Sequence, residues 1–135
     1  MKYLRNVILP IFIAGIWINI SEFLRNEFLA KSYWVDHYRG LNLIFPSEPV
    51  NGIGWVIWGF SFAIALFILS RRFTLWQTTF LAWFTAFFMM WIVIWNLDVL
   101  PGNILWMAAP LSFFETFVAV LICKQLSPRE PLTSR

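Results

Sequence analysis

Four apolar stretches divide this chain of 135 residues, each approaching or exceeding the ~20 residues that a helix needs to cross a bilayer. Charged residues collect between the stretches, where they meet water or headgroups. In hydrocarbon every backbone N–H and C=O must be satisfied within the protein, so such stretches fold as helices. The expected fold class is an all-α membrane protein: a four-transmembrane-helix bundle and one integral membrane domain over 1–135, with both termini cytoplasmic. The helices are expected at about 7–28, 50–70, 74–98 and 103–126, with an outer loop at about 30–49 and a tail at 127–135. Composition agrees, with 60% apolar and 13% charged residues, against roughly a quarter charged in soluble domains.

Local signals set the ends. Pro10 lies near the start of the first helix, where a missing N–H costs least. Ser47 is a candidate cap for the second, which begins after Pro49 and ends at Arg71 and Arg72. Asp98, Pro101 and Gly102 stop the third. Pro110 is expected to kink the fourth, and Pro128 follows its end.

Basic residues decide the orientation. Lys2, Arg5, Arg71, Arg72, Lys124, Arg129 and Arg135 fall on one side of a four-span layout, and Arg25, Lys31 and Arg39 on the other. Seven against three places the first group, and both termini, in the cytoplasm. Lys2 and Arg5 ahead of an apolar run imitate a signal peptide, but no small-x-small cleavage site follows, so the run reads as an uncleaved first helix. The expected location is the plasma membrane, the inner membrane of a bacterium, crossed several times. The outer loop carries Tyr33, Trp34, Tyr38 and Phe45 and is expected to lie against the headgroups. Trp55, Trp91, Trp95 and Trp106 are expected near the same interface and Trp76 near the opposite one. Anchoring and ligand stacking both suit these rings.

Several classes drop out. The single cysteine, Cys123, allows neither an intramolecular disulfide nor a CxxC pair. It reads as a buried small hydrophobe, with acylation the alternative at a helix end. The net charge of +3 comes without an aromatic-interleaved basic patch, which argues against nucleic acid as a partner. No triad, metal constellation, nucleotide loop or pair of adjacent carboxylates is visible, so no catalytic residue, metal or cofactor is assigned. His37 has no second ligand nearby and reads as a polar loop residue.

Glu115 stands out because it falls near the bilayer midplane, where an ionisable group costs on the order of 2.5–3.5 kcal/mol. Small and polar residues recur at helical spacing around it. Gly15, Asn19, Glu22 and Asn26 share a face of the first helix, and Ala108, Ser112, Glu115 and Ala119 one of the fourth. Thr78, Ala82, Thr85 and Met89, with Asn96 further along, repeat the pattern in the third, and Gly54, Trp58, Ser61 and Ala65 more weakly in the second. Such seams draw helices together. The candidate ligand or proton site is therefore Glu115, Glu22, Asn19, Arg25, Asn26 and Ser112, open outward and rimmed by Asn96 and Asp98. Arg25 can reach a headgroup or fold down to Glu22 or Glu115. Two readings stand for Glu115: a functional carboxylate, or a neutral acid hydrogen-bonded to Asn19, Ser112 or Thr116 as packing glue. For Glu22 an interfacial ion pair with Arg25 is the plainer expectation.

The segments Ser21–Glu22–Phe23–Leu24–Arg25–Asn26–Glu27, Phe45–Pro46–Ser47–Glu48–Pro49–Val50–Asn51–Gly52 and Trp95–Asn96–Leu97–Asp98–Val99–Leu100–Pro101 resemble those of small four-span bacterial membrane proteins, loosely the DUF1761-type. The resemblance covers nearly the whole chain and implies a four-span fold but no activity. Small multidrug-type exporters share the size, the four spans and a first-helix glutamate, yet Glu22 lies closer to the outer end than theirs and their surrounding motif is absent.

The expected function is binding of a small or amphiphilic ligand in the outward-facing seam around Glu115, with proton-linked transport as its extension. The alternative is an accessory or lipid-binding structural membrane subunit. Expected partners are membrane lipids and, since one bundle of this size encloses little space, a homodimer or a partner membrane subunit.

Overall fold

The computed structural model describes residue 1 and residues 3–127; Lys2 and the tail from Pro128, with Arg129 and Arg135, lie outside the described residues. Those described are helical or irregular, with no strand among them. In chain order the helices are α1 (Leu4–Leu29), α2 (Lys31–Gly40), α3 (Pro49–Ser70), α4 (Leu75–Asn96) and α5 (Gly102–Leu126). All but α2 are long and apolar enough to cross a membrane, so the fold is that of a four-span helical membrane protein.

Ends and irregularities trace to particular residues. Pro10 has no N–H to give, and the turn ahead of it, Leu4–Ile8, is a wide π turn. A second π turn, Arg25–Leu29, closes α1 with Ala30 N–H donating to Arg25 O at 2.9 Å. Pro49 is the first residue of α3 and Glu48 occupies the capping position; no side chain caps this end, so Ser47 does not have the role expected of it. At the start of α4, Thr74 and Gln77 form a reciprocal capping box. α4 ends at Asn96 because Asp98 turns left-handed, at φ 58°, and Val99 N–H reaches back to Ile94 O at 3.1 Å. α5 opens with a tight 3₁₀ turn, Gly102–Ile104, and continues through Pro110.

α5 packs against all three other spans. It is also the most buried: 39% of its apolar window is enclosed, against 28% for each of the others. Its buried stripe of Ala108, Ser112, Glu115 and Ala119 is the seam expected from the sequence, widened by Thr116, Val120 and Cys123. The other stripes depart from expectation. α1 buries Ala14, Gly15, Ile18, Glu22 and Arg25, leaving Asn19 and Asn26 half-buried on its flank. α3 buries Gly59, Phe62, Ala63, Leu66 and Phe67, while Gly54, Ser61 and Ala65 are exposed. Its contacts thus combine two small residues, Gly59 and Ala63, with the bulky Phe62, Leu66 and Phe67. In α4 the π turn Phe84–Phe88 adds a residue to one turn and rotates the remainder of the helix. The stripe therefore runs from Thr78, Thr79 and Ala82 to Phe87, and Thr85 and Met89 face outward.

The stretch expected as an outer loop holds α2, folded onto the turn between α4 and α5. Ala30 packs with Leu100, Ile104, Met107 and Ala108, and Tyr33 and Trp34 lie against them. His37 Nε2 lies 2.8 Å from Asp98 O, and Phe45 returns to stack on Trp34 and meet Tyr38 edge-on. At the opposite end Lys124 donates to Ser70 O at 3.0 Å and Phe73 O at 2.7 Å, carbonyls at and just beyond the C-terminus of α3. Arg71 donates to Ser127 O at 2.8 Å beside it. Between these ends the α1–α3 contact is close: a Cβ on Gly59 would lie 2.5 Å from Asn19 Nδ2, and a side chain there would displace the amide.

Candidate functional site

Three charged side chains are buried among the described residues: Glu22 at 6%, Arg25 at 7% and Glu115 at 0% exposure. They are in contact. Arg25 Nη1 donates to Glu115 Oε2 at 3.1 Å, and Nη2 donates to Glu22 Oε1. The guanidinium thus bridges α1 to the middle of α5, folding down into the bundle instead of out to a headgroup. Its plane is further covered by the Phe87 ring of α4, 5.4 Å from Cζ to the ring centroid. The other Glu22 oxygen, Oε2, accepts from Asn26 Nδ2 at 2.8 Å.

Glu115 is held from both ends. Trp17 Nε1 donates to its backbone O at 3.0 Å, which pins α1 to α5 one turn below the ion pair. Yet Oε1 of Glu115, fully enclosed, has no hydrogen-bond partner among the described residues. A buried acceptor without a donor is rare enough to require an explanation.

The trio has a cleft beside it. A cavity of about 390 Å³ opens between the second half of α1 and the start of α3. Glu22, Asn19 and Asn26 form its polar floor, Phe23, Phe45, Trp55 and Val56 its apolar walls, and Lys31 and Glu48 its mouth. Glu27 and Lys31 pair with each other there. Glu22 is the member that links cleft and trio, since Arg25 and Glu115 lie behind it.

No family model, no curated protein and no solved structure matches this chain. The loose likeness to DUF1761-type proteins therefore assigns no residue a role, and the site stands on its own geometry.

That geometry sorts the residues expected from the sequence. Glu115, Glu22, Arg25 and Asn26 come together as one hydrogen-bonded cluster. Asn19 does not join it: its amide donates to Gly15 O at 2.8 Å and packs on Gly59, though the residue lines the cleft. Ser112 lies on the same α5 face but turns to α4, accepting from Trp83 Nε1 at 2.9 Å and donating to Ala109 O. Thr116 donates to Ser112 O at 2.8 Å, so neither hydroxyl serves Glu115. Asn96 and Asp98 do not line the cleft, and Asp98 ends α4 instead. The interfacial pairing expected for Glu22 is replaced by a buried one: Glu22 and Arg25, three residues apart, share the inner face of α1. Trp17 and Phe87 are site residues that the sequence reading does not single out, whereas Phe45 and Trp55, which line the cleft, are among the rings that suit ligand stacking as well as anchoring. Neither Trp17 nor Phe87 falls on the faces marked by spacing, and Phe87 reaches the interior only through the π turn Phe84–Phe88.

Proposed function

We propose that this chain binds a small or amphiphilic ligand in the cleft between α1 and the start of α3, with Glu22 and Asn26 receiving its polar group. The supporting observation is the pairing of apolar walls with one deeply buried carboxylate at the floor. The volume of about 390 Å³ falls in the range of small-molecule sites, and its aromatic side suits an acyl or aryl tail. In the proposed topology both termini are cytoplasmic and the membrane is a bacterial inner membrane. The cleft then faces outward at headgroup depth, where an amphiphile enters sideways from the lipid. Carriage across the membrane calls for a second copy or a partner subunit, because Glu115 is fully enclosed behind Arg25.

A structural reading draws on that same seal: an enclosed trio with three spans around it is also an interhelical tie, as an accessory subunit would use. The test is native mass spectrometry of protein gently extracted in the presence of bacterial polar lipid. One amphiphile is expected to remain bound to the wild type. Gly52→Trp is expected to abolish retention, because Gly52 lines the cleft and a Cβ there meets nothing within 4 Å. Equal retention by wild type and Gly52→Trp, or none by the wild type, overturns the ligand reading and leaves the structural one.

A further inference from the structure

The buried trio does not balance. Glu22 and Glu115 are two carboxylates and Arg25 is one guanidinium, all more than nine-tenths enclosed. Among the described residues no other charge joins them from the neighbouring helices: the buried residues of α3 and α4 are Gly, Ala, Ser, Thr, Phe and Leu, and α5 adds Cys123 two turns away. One negative charge is left over in a place where an uncompensated ion is strongly disfavoured. The hydrogen bonds say where the imbalance falls. Both Glu22 oxygens accept from cationic or amide donors, and so does Glu115 Oε2, but Glu115 Oε1 accepts from none of the described residues.

We propose that the trio is a binding site for one proton, held on Glu115 Oε1 and governed by the charge on Glu22 through their shared Arg25. The proton comes from water and forms one O–H bond at Oε1; no other bond changes. With Glu22 ionised, Arg25 is divided between two carboxylates and the proton is needed. With Glu22 neutralised, Arg25 belongs to Glu115 alone and the proton leaves. The site is thus a proton store whose occupancy reports the charge at the cleft floor. It stands on the charge count and on Oε1, independently of whether the cleft holds an amphiphile.

Infrared spectra of the full chain in an ester-free detergent at neutral pH test this, since no lipid carbonyl then overlaps the C=O stretch of a protonated carboxylic acid. The wild type is expected to show that band at the intensity of one carboxyl, shifted in D₂O. Glu115→Gln and Glu22→Gln, both nearly isosteric, are each expected to lose it. Persistence of the band in Glu22→Gln means that Glu115 is neutral through burial alone and overturns the proposal, as does its absence from the wild type. If Glu22→Gln does not fold, Arg25→Gln decides: removal of the shared cation is expected to double the band, and a band no larger than wild type overturns the proposal.

Discussion

Arg25 ties three helices of this molecule together. It supplies the sole buried cation among the described residues, reaches carboxylates on two helices and lies against an aromatic ring on a third. Replacing both members of a buried ion pair with apolar groups is often neutral, whereas removing one strands the other. Arg25→Met is therefore expected to destabilise the protein by about 3–5 kcal/mol, read as a lowered thermal midpoint in detergent. A charge-removing double change, Arg25→Met with Glu22→Gln, is expected to recover a substantial part of that loss, because Glu22 is the ionised partner left behind. If the double variant is no more stable than Arg25→Met alone, the pairing with Glu22 is not where the stability lies. At this scale the sequence exposes the participants and hides their pairing. A charge in an apolar stretch is visible by its cost, so Glu22, Arg25 and Glu115 are legible. Which oxygen each nitrogen reaches depends on long side chains folding down into a packed interior. Asn19 and Ser112 look equivalent to Asn26 by spacing, yet a local carbonyl and Trp83 have prior claim on them.

At the scale of elements, periodicity serves where the helix is regular and fails where it is not. α5 has no π turn, and its expected seam is the buried one. α4 has one at Phe84–Phe88, which shifts the inner face from Thr85 and Met89 to Phe87; an extra residue in one turn leaves no mark that a fixed 3.6-residue period can register. α2 is hidden for another reason. Its polar composition resembles a loop, and its helicity depends on packing Ala30, Tyr33 and Trp34 against the α4–α5 turn. That turn rests on Asp98 at φ 58°, where an L residue meets its own carbonyl and glycine does not. Asp98→Gly is expected to raise stability by roughly 0.5–1 kcal/mol, because the contact from His37 is to the backbone oxygen and survives. Amphiphile retention is expected to be unchanged, since Asp98 does not line the cleft. Lost retention in this variant would restore Asp98 to the rim expected for it from its sequence position.

The molecule as a whole has two unlike ends, and their charge difference carries the proposed orientation. At one end Arg71, Arg72 and Lys124 gather around the α3–α4 turn, and Lys124 and Arg71 are fixed by backbone carbonyls and Ser127. At the other, Lys31 and Arg39 are paired with Glu27 and Asp36, and Arg25 is withdrawn into the interior. Counting Arg25 as an outer positive charge thus understates the asymmetry, because a buried and bridged guanidinium presents nothing to the headgroups. With Arg25 set aside, seven basic residues of the sequence stand against two, which supports the proposed orientation. This gives a direct expectation for topology. In a Cys123→Ala background, cysteines placed at the exposed positions Ser47 and Arg72 should label from opposite sides of intact spheroplasts. An impermeant thiol reagent is expected to reach Ser47→Cys without lysis and Arg72→Cys only after it. Labelling of Arg72→Cys in intact cells would invert the molecule and turn the cleft at Glu22 toward the cytoplasm. An amphiphile would then have to enter from the inner leaflet. Labelling of both positions would mean a mixed orientation, which a chain with so lopsided a pair of ends is not expected to adopt.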